Sequence, residues 1–135
     1  MPVTDAASSA VPEARWLTVL TTTGSVAGAE ALARGAVEAR LAACAQISGP
    51  VTSVYRWQGA VETAAEWQVL LKTTARRYAD LEAHLRAAHD YDVPEIVATP
   101  IVRGSADYLR WLETETETTP PGDGDGGGAG GADAR

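Results

Sequence analysis

The 135 residues, 45% hydrophobic and 21% charged, supply enough apolar material for one compact domain and too little for two of ordinary size. A single cysteine, Cys44, excludes an internal disulfide, and with only two histidines no multi-Cys or multi-His structural metal site fits inside one chain. The formal net charge of −7 sits at the ends: residues 1–14 carry −2 and residues 114–135 carry −4, which leaves −1 on the body and no basic surface for nucleic acid.

Residues 1–14 are rich in Ala, Ser and Pro and lack the basic start and apolar run of a secretory signal. No segment approaches the roughly 20 apolar residues that span a bilayer, so no membrane contact is expected. A cytoplasmic location and a reduced Cys44 follow as expectations. Residues 114–135 run from Thr-Glu repeats through Pro120 and Pro121 into a Gly, Asp and Ala tract that cannot bury apolar area to offset its ordering entropy. Disorder is expected for 1–14 and for 114–135, around a folded domain over residues 15–113.

In chain order, residues 16–23 read as a strand, with Leu17, Val19 and Leu20 among threonines before Gly24. Ser25 caps a helix through about residue 43, its apolar stripe running Ala29, Leu32, Ala33, Ala36, Val37 and Leu41. Gly28 and Gly35 inside it each cost about 1 kcal/mol relative to Ala, which points to close packing there. Residues 45–57 form a second strand broken by a bulge at Gly49 and Pro50, turning at Gln58 and Gly59 into a third strand over 60–73. A second helix covers 75–89 with Tyr78, Leu81, Leu85 and Ala88 on one side, and His84 is expected to face solvent. A fourth strand spans 95–103, and a short helix carries Tyr108, Leu109, Trp111 and Leu112.

The order βαββαβ is that of an α+β, ferredoxin-like domain: an antiparallel sheet ordered 4-1-3-2, helices on one face, and a short C-terminal helix. Proline placement supports the order independently, because Pro donates no ladder hydrogen bond and is confined to edges and bulges. Pro50 and Pro100 fall in strands two and four, the two edges. A long edge hairpin carrying Tyr55, Trp57 and Trp67 invites pairing with another chain, so a homo-oligomer held through these residues and Arg56 is expected.

Several runs together resemble the CutA family of divalent-cation tolerance proteins: Leu41 to Ile47 around Cys44, Ser53 to Gly59, the pair Lys72 and Thr73, His89 to Ile96, and Tyr108 to Trp111. The resemblance spans nearly the whole body. It implies a ferredoxin-like homotrimer, similar in architecture to PII signalling proteins, with a cavity between subunits and a link to copper tolerance. The sequence departs from the family pattern at Gln46, Asp90, Gln58 and Ala60.

Two functional classes follow. The first is a non-enzymatic trimer that binds copper or another divalent cation at or near the subunit interface. The second is a PII-like sensor that takes a small anionic ligand between subunits. For the first, Cys44 matches a family cysteine linked to metal contact, although a lone cysteine also serves as core filler. His89 stands in a run of donors with Asp90, Tyr91, Asp92 and Glu95, all possible metal or ligand contacts, or else it closes a helix end. Lys72, in a central strand, reaches solvent, pairs with a carboxylate such as Glu95, or serves the second reading as a cation for an anionic ligand. No nucleophile elbow, Walker loop or Rossmann fingerprint is present.

Overall fold

A computed structural model of the chain describes residues 14–118, so most of the two segments expected to be disordered lies outside the described residues. The elements run β1 (Trp16–Thr23), α1 (Val26–Glu38), β2 (Cys44–Trp57), β3 (Ala60–Thr74), a 3-10 turn (Ala75–Arg77), α2 (Tyr78–Ala88), β4 (Ile96–Pro100) and α3 (Ala106–Glu115). The fold is α+β. Its antiparallel sheet has the order β2-β3-β1-β4, which is the expected 4-1-3-2 read from the other edge.

One face of the sheet makes the core. Val19 of β1 and Val69 and Leu71 of β3 are fully buried against Ala29, Leu32 and Ala36 of α1 and Leu81 and Leu85 of α2. Burying each such leucine contributes about 1.5–3 kcal/mol. The small residues of α1 let its backbone come close to its neighbours. A Cβ on Gly35 would stand 3.2 Å from His84 Nε2, so His84 is half-buried against α1 rather than solvent-facing as expected. Trp67 shares this face with Val69 and packs on the core, so it is not part of an exposed edge as the sequence led us to expect.

Ser25 caps α1, its Oγ accepting from Gly28 N–H at 2.9 Å. The helix stops at Glu38, five residues before the expected end, because Arg40 takes a left-handed conformation (φ 61°). Leu41 N–H then bonds to Ala36 O at 2.9 Å and Arg40 N–H to Val37 O at 3.0 Å, the Schellman pattern with arginine in place of the usual glycine. The bulge in β2 falls between Ser48 and Val51, as expected. Gly49 has φ 149°, and a Cβ there would meet Trp67 Cδ1 at 2.8 Å.

Two expectations at the C-terminal end need correction. β4 stops at Pro100 rather than 103. The helical α3 continues to Glu115, and Thr116 is only 2% exposed, its Oγ1 donating to Leu112 O at 2.9 Å, so the packed body passes the expected limit of 113. α3 also covers the other side of the sheet. Its Glu113 accepts from the Trp16 indole at 2.8 Å and its Tyr108 hydroxyl lies 3.5 Å from Cys44 Sγ. Trp16 and Cys44 oppose Thr74 and Lys72, the register opposite to the core-facing Leu71 and Thr73.

Candidate functional site

The face that α1 and α2 leave open is occupied by α3 at one end and by a groove at the other. The groove, of about 660 Å³, is walled by Tyr55 and Trp57 of β2, Glu66 of β3, and Tyr91, Asp92 and Glu95 of the segment before β4. Alternation places Tyr55 and Trp57 on one side of β2, and the segment leaving α2 folds back across the sheet toward them. Pro94 lines the groove just before β4 begins.

His89 and Tyr91 anchor that segment. The His89 Nδ1 accepts from Tyr91 N–H at 3.1 Å, which leaves Nε2 as the protonated nitrogen that donates to Thr22 O at 2.8 Å. The two rings lie 4.8 Å apart. The Tyr91 hydroxyl donates to Glu66 Oε2 at 2.7 Å. Burial, reinforced by the hydrogen bond to Glu66 and its charge, pushes the Tyr91 phenol up to about 12, so it remains a donor across the physiological range. Glu66 is 9% exposed, a carboxylate nearly withdrawn from water.

The structure thus brings together Tyr91, Asp92 and Glu95 with Tyr55 and Trp57, and it adds Glu66, which the sequence reading passed over. The signal was available: Glu66 sits in a strand between Ala65 and Trp67, where an unpaired carboxylate is costly. Cys44 and Lys72 lie elsewhere. They oppose each other across β2 and β3, six residues from Glu66, or about 20 Å along the strand. Lys72 is half-buried and forms no ion pair with Glu95 among the described residues. Asp90 and Arg56 are exposed. Both ring nitrogens of His89 are engaged with backbone groups, Thr22 of β1 and Tyr91 of the following segment, so the ring ties the chain leaving α2 to the sheet rather than bonding the helix carbonyls. Among the described residues no three His, Cys, Asp or Glu side chains group so as to hold a metal ion.

Comparison with known proteins adds an independent line. The family model described as CutA1 divalent ion tolerance protein matches residues 17–115. A Divalent-cation tolerance protein CutA of Thermus thermophilus is 47% identical over 94 residues, covering 70% of this chain and 91% of that protein. A solved Thermus thermophilus structure of the divalent cation tolerance protein (Cut A1) superposes with a TM-score of 0.74 at 44% identity, covering 76% of this chain and 99% of the other. Two further relatives overturn the expected cytoplasmic location. The Arabidopsis thaliana protein, 43% identical over 82 residues (61% of this chain, 45% of that one), is named chloroplastic. The Archaeoglobus fulgidus structure, 33% identical with a TM-score of 0.73 over 76% of this chain and 99% of that one, is named periplasmic. Membership therefore does not imply the cytoplasm. No helix among the described residues is long and apolar enough to cross a membrane. The matched length, the identity and the superposition agree that the chain belongs to the CutA1 divalent ion tolerance family.

Proposed function

We propose that this chain acts in divalent-cation tolerance as a homotrimer without enzymatic activity, with copper as the cation it handles and Cys44 from more than one copy as the ligand. The observation that carries this reading is the outer edge of β2. This 14-residue strand lies at the sheet edge and exposes Val54 (66%), Tyr55 and Trp57 along its far half. An edge so long and aromatic is stabilised by pairing with a further copy.

The donor set of one chain does not fit a metal centre, since Cys44 opposes Lys72 while His89 sits beside Thr22 opposite Gln68, about 13 Å away along the strand, and His89 is committed to backbone groups. Rotational symmetry multiplies Cys44, and a thiolate suits copper better than the carboxylates do. The same separation of Cys44 from His89 supports binding over nucleophilic catalysis, which needs thiol and imidazole within hydrogen-bond reach. A small anionic ligand finds less support, because the groove lining contains no basic residue among the described residues and Lys72 is remote from it.

Light scattering at micromolar protein, followed by calorimetric titration with copper, tests the reading. A trimer is expected, with copper binding lost in Cys44→Ser and retained in His89→Ala. A monomer refutes the assembly, and undiminished binding by Cys44→Ser refutes the ligand assignment.

A further inference from the structure

We propose that the cavity where β1 begins and β3 runs into α2 binds a phosphate group, held by Thr74, Arg76 and Arg15. The cavity, of about 380 Å³, is lined by Ala14, Arg15, Thr74, Ala75, Arg76 and Glu113. Thr74 is about 45 Å along β3 from the hairpin turn, and the cavity shares no lining residue with the aromatic groove. The site lies within one chain and does not depend on the tolerance reading.

Thr74 carries the argument. It pairs with Trp16 and is 4% exposed, and its Oγ1 is buried with no hydrogen-bond partner. The neighbouring Thr73 shows the ordinary outcome, its Oγ1 donating to Leu41 O at 2.7 Å. A buried hydroxyl left unpaired is costly, and one that lines a cavity calls for a partner from outside the chain. Thr74 also stands at the N-cap of the 3-10 turn, where a threonine hydroxyl commonly accepts from a first-turn N–H, and it makes no such bond. Ala75 N–H is spent on Arg15 O and Tyr78 N–H on Ala75 O, which leaves the N–H groups of Arg76 and Arg77 as the open donors among the described residues. They lie at the positive end of the run formed by the three-residue turn and the 11-residue α2.

The charges select an anion. Two guanidiniums of the lining face one carboxylate, Glu113, whose Oε2 accepts from the Trp16 indole at 2.8 Å and lies 3.2 Å from Arg15 Nη2. Arg15 is held further by its place over the Trp16 ring, at 5.2 Å. Arg77, in the same turn, is paired with Asp80 at 3.1 Å. Arg76 is exposed and has no ion pair among the described residues, so its side chain is free to move aside from the Thr74 hydroxyl and to close over a ligand. A cation is repelled by this set. A phosphate group offers tetrahedral oxygens to guanidinium, hydroxyl and backbone N–H from different directions at once.

The test follows the backbone amides of Ala75, Arg76 and Arg77 by NMR as sodium phosphate or glycerol 3-phosphate is titrated into the full chain at neutral pH, with sodium chloride as control at matched ionic strength. Saturable shifts at millimolar phosphate are expected, and none from chloride. Equal affinity for the two probes identifies the ion itself as sufficient, and tighter binding of glycerol 3-phosphate identifies a small ester as the ligand; both support the site. Arg76→Gln, at an exposed position, should weaken binding about tenfold. Thr74→Val keeps the side-chain shape and removes the hydroxyl. It should weaken binding several-fold while leaving the thermal midpoint without phosphate unchanged or higher, because an unpaired buried hydroxyl gives way to a methyl. A hydroxyl that serves the fold alone gives the reverse, a lower midpoint with unchanged binding, and that result overturns the proposal. It is equally overturned if phosphate acts only as chloride does, or if Arg76→Gln binds as the wild type does.

Discussion

Arg40 holds the end of the chain body onto the sheet, and its replacement offers a quantitative test of how the C-terminal helix is secured. Its Nη2 donates to Thr114 O at 2.8 Å, its Nε to Glu117 O at 3.1 Å, and its Nη1 lies 3.8 Å from Glu115 Oε1. The bond to Thr114 is partly buried and, as a charged donor to a carbonyl, contributes about 1.5–2 kcal/mol. The exposed bond and the half-exposed ion pair together add about 0.5 kcal/mol. Arg40→Ala should therefore cost about 2 kcal/mol. Arg40→Gly loses the same contacts but relieves the left-handed backbone, recovering about 1 kcal/mol. Urea denaturation at a fixed protomer concentration, which keeps any assembly contribution constant, measures both. The chain ended after Glu113 should lose at least as much as Arg40→Ala relative to the chain ended after Thr118. Combining that truncation with Arg40→Ala should add little, the sign of direct coupling. An Arg40→Ala variant within 0.5 kcal/mol of wild type, or a glycine variant less stable than the alanine one, would refute the clasp.

Three further outcomes are expected. Tyr91, raised from 10.0 to about 12, contributes stability that is fully present below pH 10 and is lost as the pH rises through 12. In a spectrophotometric titration Glu66→Gln should bring this tyrosine down, but not fully to 10, because burial is the larger cause. Gly49→Ala should cost about 2 kcal/mol in thermal or urea unfolding, since its φ of 149° and the 2.8 Å approach to Trp67 both oppose a Cβ; an unchanged midpoint would contradict the bulge geometry. His89→Ala should cost about 1–2 kcal/mol and speed amide exchange at Tyr91, by freeing the segment before β4 from Thr22.

The order of elements, the edge positions of Pro50 and Pro100, the bulge at Gly49 and the cap at Ser25 were all legible in the sequence. Each depends on local chemistry: period-two or period-3.6 apolar patterning, a missing proline N–H, a serine hydroxyl two or three residues before a free helix donor. Motifs scattered over the body also identified the family. Four features came only from tertiary structure. Trp67 and Tyr55 look alike as strand aromatics, but alternation with Val69 and Leu71 turns the first into the core, while the bulge in β2 puts the second out of phase with Ala45 and Ile47 and toward the groove. Arg40 ends α1 in a conformation usually left to glycine because the chain end offers it carbonyls 74 and 77 residues away. His89, placed among apparent ligands by its neighbours in sequence, spends both nitrogens on backbone groups once Thr22 is brought beside it. Glu66 becomes a buried carboxylate only when Tyr91 folds across the sheet, a pairing 25 residues apart. Patterning decides which elements form, whereas the partners of a buried polar group are decided by what the packed sheet brings within about 3 Å.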